Sequence, residues 1–396
     1  MSAALTNPYT PGQVPRVFAG RVAELGRIRD QVSRVATYGE LGGPLLVFHA
    51  PRGLGKTSLL RTAQREAAEL GFVSAWVACS RERPFLPELL RSVERALHRS
   101  DLSLDGRDAT QWKARLEKVS VQLGVPGFRV SGDIRTAGPD PEPSPLAAPI
   151  GALEDLLHDA ATLVRGRGGA GLLVFVDELH AALPDDMSIL LNALQNLDGE
   201  REHNPLAVLT AGLPVTPEAI TRAATFGERS SFVPLDLLSD DDARALLTAP
   251  AEALGVTWTA EALELVRAEC HGHPYLLQLL GSSSWAAAAP AEGGSVAADH
   301  VRTGIPAAAD QLDAMYRARW GSATPAEQAF LRAMAEAGTD NVTRKQIAER
   351  LGQSTQSISV PRERLIEKGV IEPVGHGLVR FTLPGFARYV RERANG

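Results

Sequence analysis

Apolar positions along the chain follow two alternating rhythms. Between Arg21 and Tyr38, Val22, Leu25, Ile28, Val32 and Val35 recur at steps of three and four, which predicts a helix. A short unbroken apolar run at 45–49 follows Gly-Gly-Pro and suits a buried strand. Residues 58–70 return to helical spacing and stop at Gly71. Residues 72–78 read as a second strand and 86–97 as a second crossover helix. A helix over about 151–165 leads into 172–176, the strongest buried-strand run, with further strands expected at 206–210 and 231–233. Apolar strand alternating with amphipathic helix is the mark of an α/β layered fold with a parallel sheet.

After Ser239, an N-cap followed by Asp240, Asp241 and Asp242, the pattern is helical to about residue 320, which predicts an all-helical second domain. Residues 322–396 return to short helices: one over 324–337, one opening at Thr343 as its cap and ending before Gly352, and one from Thr355 or Pro361 to Lys368. Two strand-like runs then flank the turn Gly375-His376-Gly377. Three helices and a two-stranded wing predict a winged helix-turn-helix. The expected division is an extended arm at 1–15, an α/β core at 16–236, a helical lid at 237–320 and the winged module at 321–396. Within the core, Gly138, Pro139, Pro141, Pro143, Pro145 and Pro149 predict a flexible insertion over about 101–150, with a strand of an inserted hairpin at 127–134.

Composition narrows the class. With 396 residues, 44% hydrophobic and 22% charged, the chain has globular usage and room for two to four domains. Its 36 glycines and 26 prolines are not periodic, which excludes collagen. The formal charge of −6 argues against adhesion of the whole surface to nucleic acid or anionic lipid, so any basic site is local. Cys79 and Cys270 have no metal-ligand spacing and read as buried thiols in a reducing compartment. The cluster Cys270-His271-Gly272-His273 lacks a fourth zinc ligand. No apolar stretch reaches the length of a membrane span, and residues 1–10 lack a basic-then-apolar leader, so a cytoplasmic protein without a membrane partner is expected.

The chemistry sits at two strand ends. Ala50-Pro51-Arg52-Gly53-Leu54-Gly55-Lys56-Thr57, followed by Ser58, joins a strand to a helix, the context a phosphate-binding P-loop requires. Its successive backbone N–H groups face a phosphate, the helix N-terminus adds positive potential, Lys56 reaches the β- and γ-oxygens, and Thr57 ligates magnesium. Gly53 and Gly55 supply turn freedom and close approach. Far along the chain, the strand 172–176 ends in Asp177-Glu178. Asp177 at that edge can hold magnesium through water, and Glu178 can orient and polarise the attacking water.

These residues resemble the AAA+ ATPases, in the branch shared by replication-initiator-like (origin-recognition) ATPases, the archaeal ATPase family and the STAND signalling ATPases. Phe18-Ala19-Gly20-Arg21 with Glu24-Leu25 is similar to that branch's N-terminal motif near the adenine. The resemblance implies ATP and magnesium as cofactors. It implies Thr210 as the sensor of the γ-phosphate, Arg229 as an arginine finger acting on a neighbouring subunit of a homo-oligomer, and Gly272-His273-Pro274 as a GxP motif whose Pro274 packs on the base. The branch's second sensor arginine is replaced by Tyr275, Leu276 and Leu277.

Residues 322–396 hold 11 basic and 8 acidic side chains, against 30 and 39 in the rest. That asymmetry points to double-stranded DNA at this end. Arg344, Lys345, Gln353, Ser354, Gln356, Ser357, Arg362 and Arg364 could contact phosphates and base edges, with Arg380 on the wing. The leading expectation is an ATPase that couples nucleotide state to DNA binding. The alternatives are a STAND-like nucleotide-gated switch whose winged helix contacts protein, and a regulator that merely senses ATP.

Overall fold

The computed structural model describes residues 4–100, 112, 114–117, 119–121, 149–338, 341–375 and 377–394. Helix α1 (Val22–Tyr38) leads to β1 (Leu46–His49), α2 (Lys56–Glu69), β2 (Phe72–Ala78), α3 (Leu86–Arg99) and α4 (Pro149–Gly166). The core continues with β3 (Gly171–Asp177), α5 (Pro184–Gly199), β4 (Leu206–Gly212), α6 (Thr216–Ala223) and β5 (Ser231–Pro234). The five strands form one parallel sheet in the order β2-β3-β4-β1-β5.

The period of two explains why these strands carry unbroken apolar runs. Leu172, Val174 and Val176 of β3 pack with Val47 and Val73 into the layer of α3, α4 and α5. Leu173 and Phe175 point the other way, joining Leu46, Phe48 and Leu209 under α1 and α2. Every residue of β3 from Leu172 to Val176 is fully buried, because helices cover both faces. This is the α/β P-loop NTPase fold, and its parallel order brings the carboxyl ends of β1 and β3 to the same edge.

The strand expected at 127–134 and most of the expected flexible segment lie outside the described residues. Where that segment is described, it differs from expectation: Trp112, Leu116 and Val119 are buried in the sheet's larger core layer. Their spacing of four and three is helical, a signal the neighbouring prolines overshadow. Pro149 likewise opens α4 rather than lying in a loop.

Beyond the sheet come α7 (Asp240–Glu252), β6 (Thr257–Trp258), α8 (Ala260–Cys270), α9 (Pro274–Ala288), β7 (Ser295–Val296) and α10 (Ala298–Gly321). Ser239 caps α7 by accepting from the Asp242 amide, as its sequence predicts. The region is not all helical, since β6 and β7 pair in parallel. Two-residue strands carry too little pattern to be read from sequence.

Residues 4–15 form no regular element, yet they are anchored to this helical unit. Tyr9 is 3% exposed and sits edge-on to Trp258 and Trp285 at ring-centroid distances of 6.1 and 6.0 Å. Its hydroxyl donates to the Leu247 carbonyl and accepts from Trp258 Nε1 at 2.8 Å. Tyr9→Phe is therefore expected to destabilise the protein by about 1–2 kcal/mol, because both partners lose their hydrogen bond inside an apolar cluster. A denaturant midpoint unchanged from the parent would show that this anchor contributes nothing.

The C-terminal module comprises α11 (Pro325–Ala337), β8 (Val342–Thr343), α12 (Arg344–Leu351), α13 (Ser359–Glu367), β9 (Ile371–Gly375), β10 (Leu378–Phe381) and α14 (Phe386–Ala394). Thr324 and Thr343 open their helices with capping boxes completed by Glu327 and Gln346. Pro361 lies in the first turn of α13, where its missing N–H does no harm. The small sheet has a third strand, in the antiparallel order β8-β10-β9.

Candidate functional site

The residues between β1 and α2 wrap a helix N-terminus that no side chain caps. Gly53 and Gly55 hold φ of 87° and 84°, a left-handed conformation that side chains other than glycine adopt only with strain. The turn so made leaves the first amides of α2 facing outward, a ready anion site. Lys56 folds back over the loop, and its Nζ donates to the carbonyls of Ala50 at 2.9 Å and Pro51 at 2.8 Å. Burial lowers its pKa to about 8, opposed by the nearby charges of Glu178 and Asp177.

The acidic pair arrives from β3. Thr57 Oγ1 donates to Asp177 Oδ2 at 2.7 Å across 120 residues of sequence. Asp177 is 5% exposed; burial raises its pKa, and the Thr57 hydrogen bond opposes the rise. Glu178 takes a left-handed φ of 54°, a strained geometry for a residue with a Cβ, which turns its carboxylate off the strand end. Its Oε2 lies 3.6 Å from His180 Nε2, while His180 Nδ1 accepts from the Leu213 amide at 3.2 Å. Burial, aided by Lys56 and Arg52, lowers the His180 pKa to about 4, so the ring is neutral. Sequence reading missed His180. A histidine two residues past the acidic pair, bridging it to the end of β4, is visible only once β3 and β4 are adjacent.

Lys56, Thr57 and Glu178 line a cavity of about 630 Å³, within the size range of small-molecule sites. Its walls include five basic residues, Arg21, Arg52, Lys56, Arg61 and Arg319, against one acidic residue, Glu178. Pro274 lines it at the first position of α9, and the Tyr275 amide donates to the Gly53 carbonyl at 3.3 Å, so this helix rests directly on the loop. Val14 and Pro15 of the N-terminal arm also line it. Arg21, also left-handed at φ 61°, donates to the carbonyls of Leu54 and Asp236 and ties the loop to the segment after β5.

Five sequence candidates do not line the cavity: Asp177 stands beside it through Thr57, Pro51 serves through its carbonyl to Lys56, and Ala50, Thr210 and Arg229 are placed as follows. Ala50 donates its amide to the Gly212 carbonyl at 3.1 Å, so it serves the loop through its carbonyl rather than as a donor to an anion. Thr210 is fully buried in β4, its hydroxyl donating to the Leu46 carbonyl at 3.3 Å, and it is not brought to the cavity. Arg229 ends the short 3-10 turn Thr225–Arg229 before β5, exposed and over the Phe226 ring, also away from the cavity. Arg52, Gly53, Leu54, Gly55, Lys56, Thr57, Ser58, Glu178 and Pro274 converge on it.

Thr57 and Asp177 offer two hard oxygens in contact, a set that suits magnesium when phosphates and waters complete its shell. Among the described residues, no group of three or more His, Cys, Asp or Glu side chains converges on one point, Cys270, His271 and His273 included. Cys79 and Cys270 are both free and buried, their thiol pKa values raised to about 12 chiefly by burial.

The fold is that of the P-loop NTPases. Residues 17–209 match the AAA ATPase domain family, and residues 313–390 match a domain of unknown function (DUF8462). A search of curated proteins gives no match. Among solved structures, the chain is similar to the Walker-type ATPase PABY2304 of Pyrococcus abyssi, at 14% identity and TM-score 0.59, covering 96% of this chain and 98% of that one. At that identity the likeness concerns the fold. Two others are Cdc6p from Pyrobaculum aerophilum (12% identity, TM-score 0.47, 100% of both chains) and the Aeropyrum pernix Orc1 protein in complex with DNA (17%, 0.45, 97% of this chain and 94% of that one).

Proposed function

We propose that the protein binds ATP in this cavity, hydrolyses it, and couples its nucleotide state to DNA binding by the C-terminal module, read as a winged helix. The observation that carries the reading is the hydrogen bond between Thr57 and Asp177, in a cavity whose walls are five to one basic over acidic. A polyanion neutralises those walls. Lys56 and the outward amides of α2 bind its phosphates, and Pro274 with the arm at Val14 and Pro15 confines the base end. Magnesium, held by Thr57 and Asp177, would supply charge neutralisation at the phosphates. Glu178 orients and polarises water for in-line attack. Arg229, exposed and remote from its own cavity, suits a finger that completes the site of a second copy.

On the C-terminal module, Lys345, Gln353, Ser354, Gln356, Ser357 and Arg364 are exposed around the start of α13. Arg344 is committed to the Thr355 carbonyl and Ser359, and Arg380 to Glu372, so the basic face is thinner than its composition. A gel-shift series on duplex DNA tests this reading. Binding is expected to weaken with salt, with a log–log slope of about −0.9 per phosphate contacted, and to change when ATP is added. No affinity in any nucleotide state would remove DNA from the function.

One observation favours a second reading, a nucleotide-gated switch in which the module acts as a clamp. The module is docked at the cavity: Leu383 lines it, Arg81 pairs with Glu367 at 3.7 Å, and a Cβ at Gly369 would touch Leu213 and Arg52. DNA affinity absent with and without ATP is the result that selects this switch.

A further inference from the structure

Two polar residues lining the cavity, Arg319 and His273, are short of partners. Arg319, near the end of α10, lines the cavity, and its Nη1 donates to Thr382 Oγ1 at 2.9 Å. Among the described residues it makes no ion pair, and the charge nearest in influence is another cation, Arg52. Burial first and Arg52 second lower its pKa to about 10, the mark of a guanidinium lacking a counter-charge.

His273 supplies the independent second observation. It is 2% exposed, neither ring nitrogen has a hydrogen-bond partner among the described residues, and it lines the same cavity against the loop, where a Cβ at Gly53 would lie 2.7 Å from its Cε1. Buried polar atoms are almost always satisfied, and leaving them unsatisfied is costly. A guanidinium without a carboxylate and an imidazole without a partner, lining one cavity with a helix N-terminus, call for a ligand with several acceptor oxygens and negative charge. Thr382 extends the line into the C-terminal module, donating to the carbonyls of Gly369 at 2.8 Å and Val370 at 3.0 Å.

We propose that Arg319 and His273 form a second phosphate clamp, which grips the polyphosphate of the bound nucleotide beside the P-loop and, through Thr382, ties the position of the C-terminal module to nucleotide occupancy. The proposal rests on nucleotide binding in this cavity. Arg319 donates in a fork to phosphate oxygens and His273 donates one N–H. The clamp stands at the junction with the C-terminal module, not at the start of α9, where Tyr275 and Leu276 replace a basic residue.

Calorimetric titration of the full chain with ATP, ADP and AMP, paired with thermal melts, tests the clamp. Arg319→Met is expected to melt no lower than the parent without ligand, because it removes an uncompensated buried charge. It should bind ATP and ADP about 10- to 100-fold more weakly while AMP affinity holds. Arg319→Lys, which keeps charge but not the fork, should fall between. A loss confined to ATP places Arg319 on the γ-phosphate, and a loss shared with ADP places it on the β-phosphate. Affinities for ATP and ADP unchanged in Arg319→Met, or an equal loss for AMP, overturns the clamp. A parent chain that binds no nucleotide overturns instead the reading beneath it. Thr382→Val is expected to bind ATP within about threefold of the parent yet lose the ATP-induced change in hydrogen-exchange protection of residues 369–383. A change retained in that variant overturns the link to the module.

Discussion

Lys56→Ala is expected to abolish nucleotide binding, with affinity for ATP and ADP falling by at least about 100-fold, the equivalent of one strong charge-assisted hydrogen bond. Lys56 is 5% exposed, and its ammonium group spends two of its three donors on the carbonyls of Ala50 and Pro51. It is thereby fixed over the loop with a donor to spare. Burial already pulls its pKa to about 8, so an arriving phosphate gives it the counter-charge that Asp177 and Glu178 supply only in part. Titration calorimetry at fixed magnesium measures the effect. A thermal melt run beside it checks that the two carbonyls, left without their donor, have not unfolded the loop. Unchanged affinity in a folded variant would refute the loop as the phosphate site.

Glu178→Gln separates binding from chemistry. The variant is expected to bind ATP within a few-fold of the parent while single-turnover phosphate release slows by about 100- to 10,000-fold, the span of a lost general base. Glu178 follows the end of β3 in a left-handed turn, with a carboxylate 33% exposed on the cavity side. The neighbouring Asp177 is committed to Thr57, so only Glu178 is free to accept from water. Glutamine keeps the size and removes the basic oxygen. Normal turnover in the variant would take the water-activating role from Glu178.

How much of this was legible in the sequence depends on the length scale of each feature. The strands β1 to β5 and the helices α2, α3 and α4 announce themselves, because a strand covered on both faces must be apolar throughout, as Leu172 to Val176 are; α5 and α6 are not read from the sequence. The P-loop and the acidic pair are equally legible, since each is a local string whose chemistry depends on its position at a strand end. Their meeting is not local: Thr57 and Asp177 touch only because β3 and β1 end at one sheet edge.

Features decided by distant packing escaped the pattern. Thr210 has the right place in β4 for a cavity residue, but its hydroxyl turns to the Leu46 carbonyl of β1, which no periodicity reports. His180, Arg319 and His273 become notable through what surrounds them: a neighbouring strand end, a missing carboxylate and missing hydrogen-bond partners. The arm at residues 4–15 reads as loose because its prolines suppress regular structure, yet Tyr9 buries itself among two tryptophans.

A crystal or cryo-electron microscopy structure of the intact chain with magnesium and a slowly hydrolysed ATP analogue reaches the heart of the matter. The triphosphate should lie against the amides of residues 53–57, with Lys56 Nζ on its β- and γ-oxygens and the metal between Thr57 and Asp177. A nucleotide bound elsewhere on the chain, with Thr57 still donating to Asp177 and Lys56 still folded on Ala50 and Pro51, would contradict the proposed site.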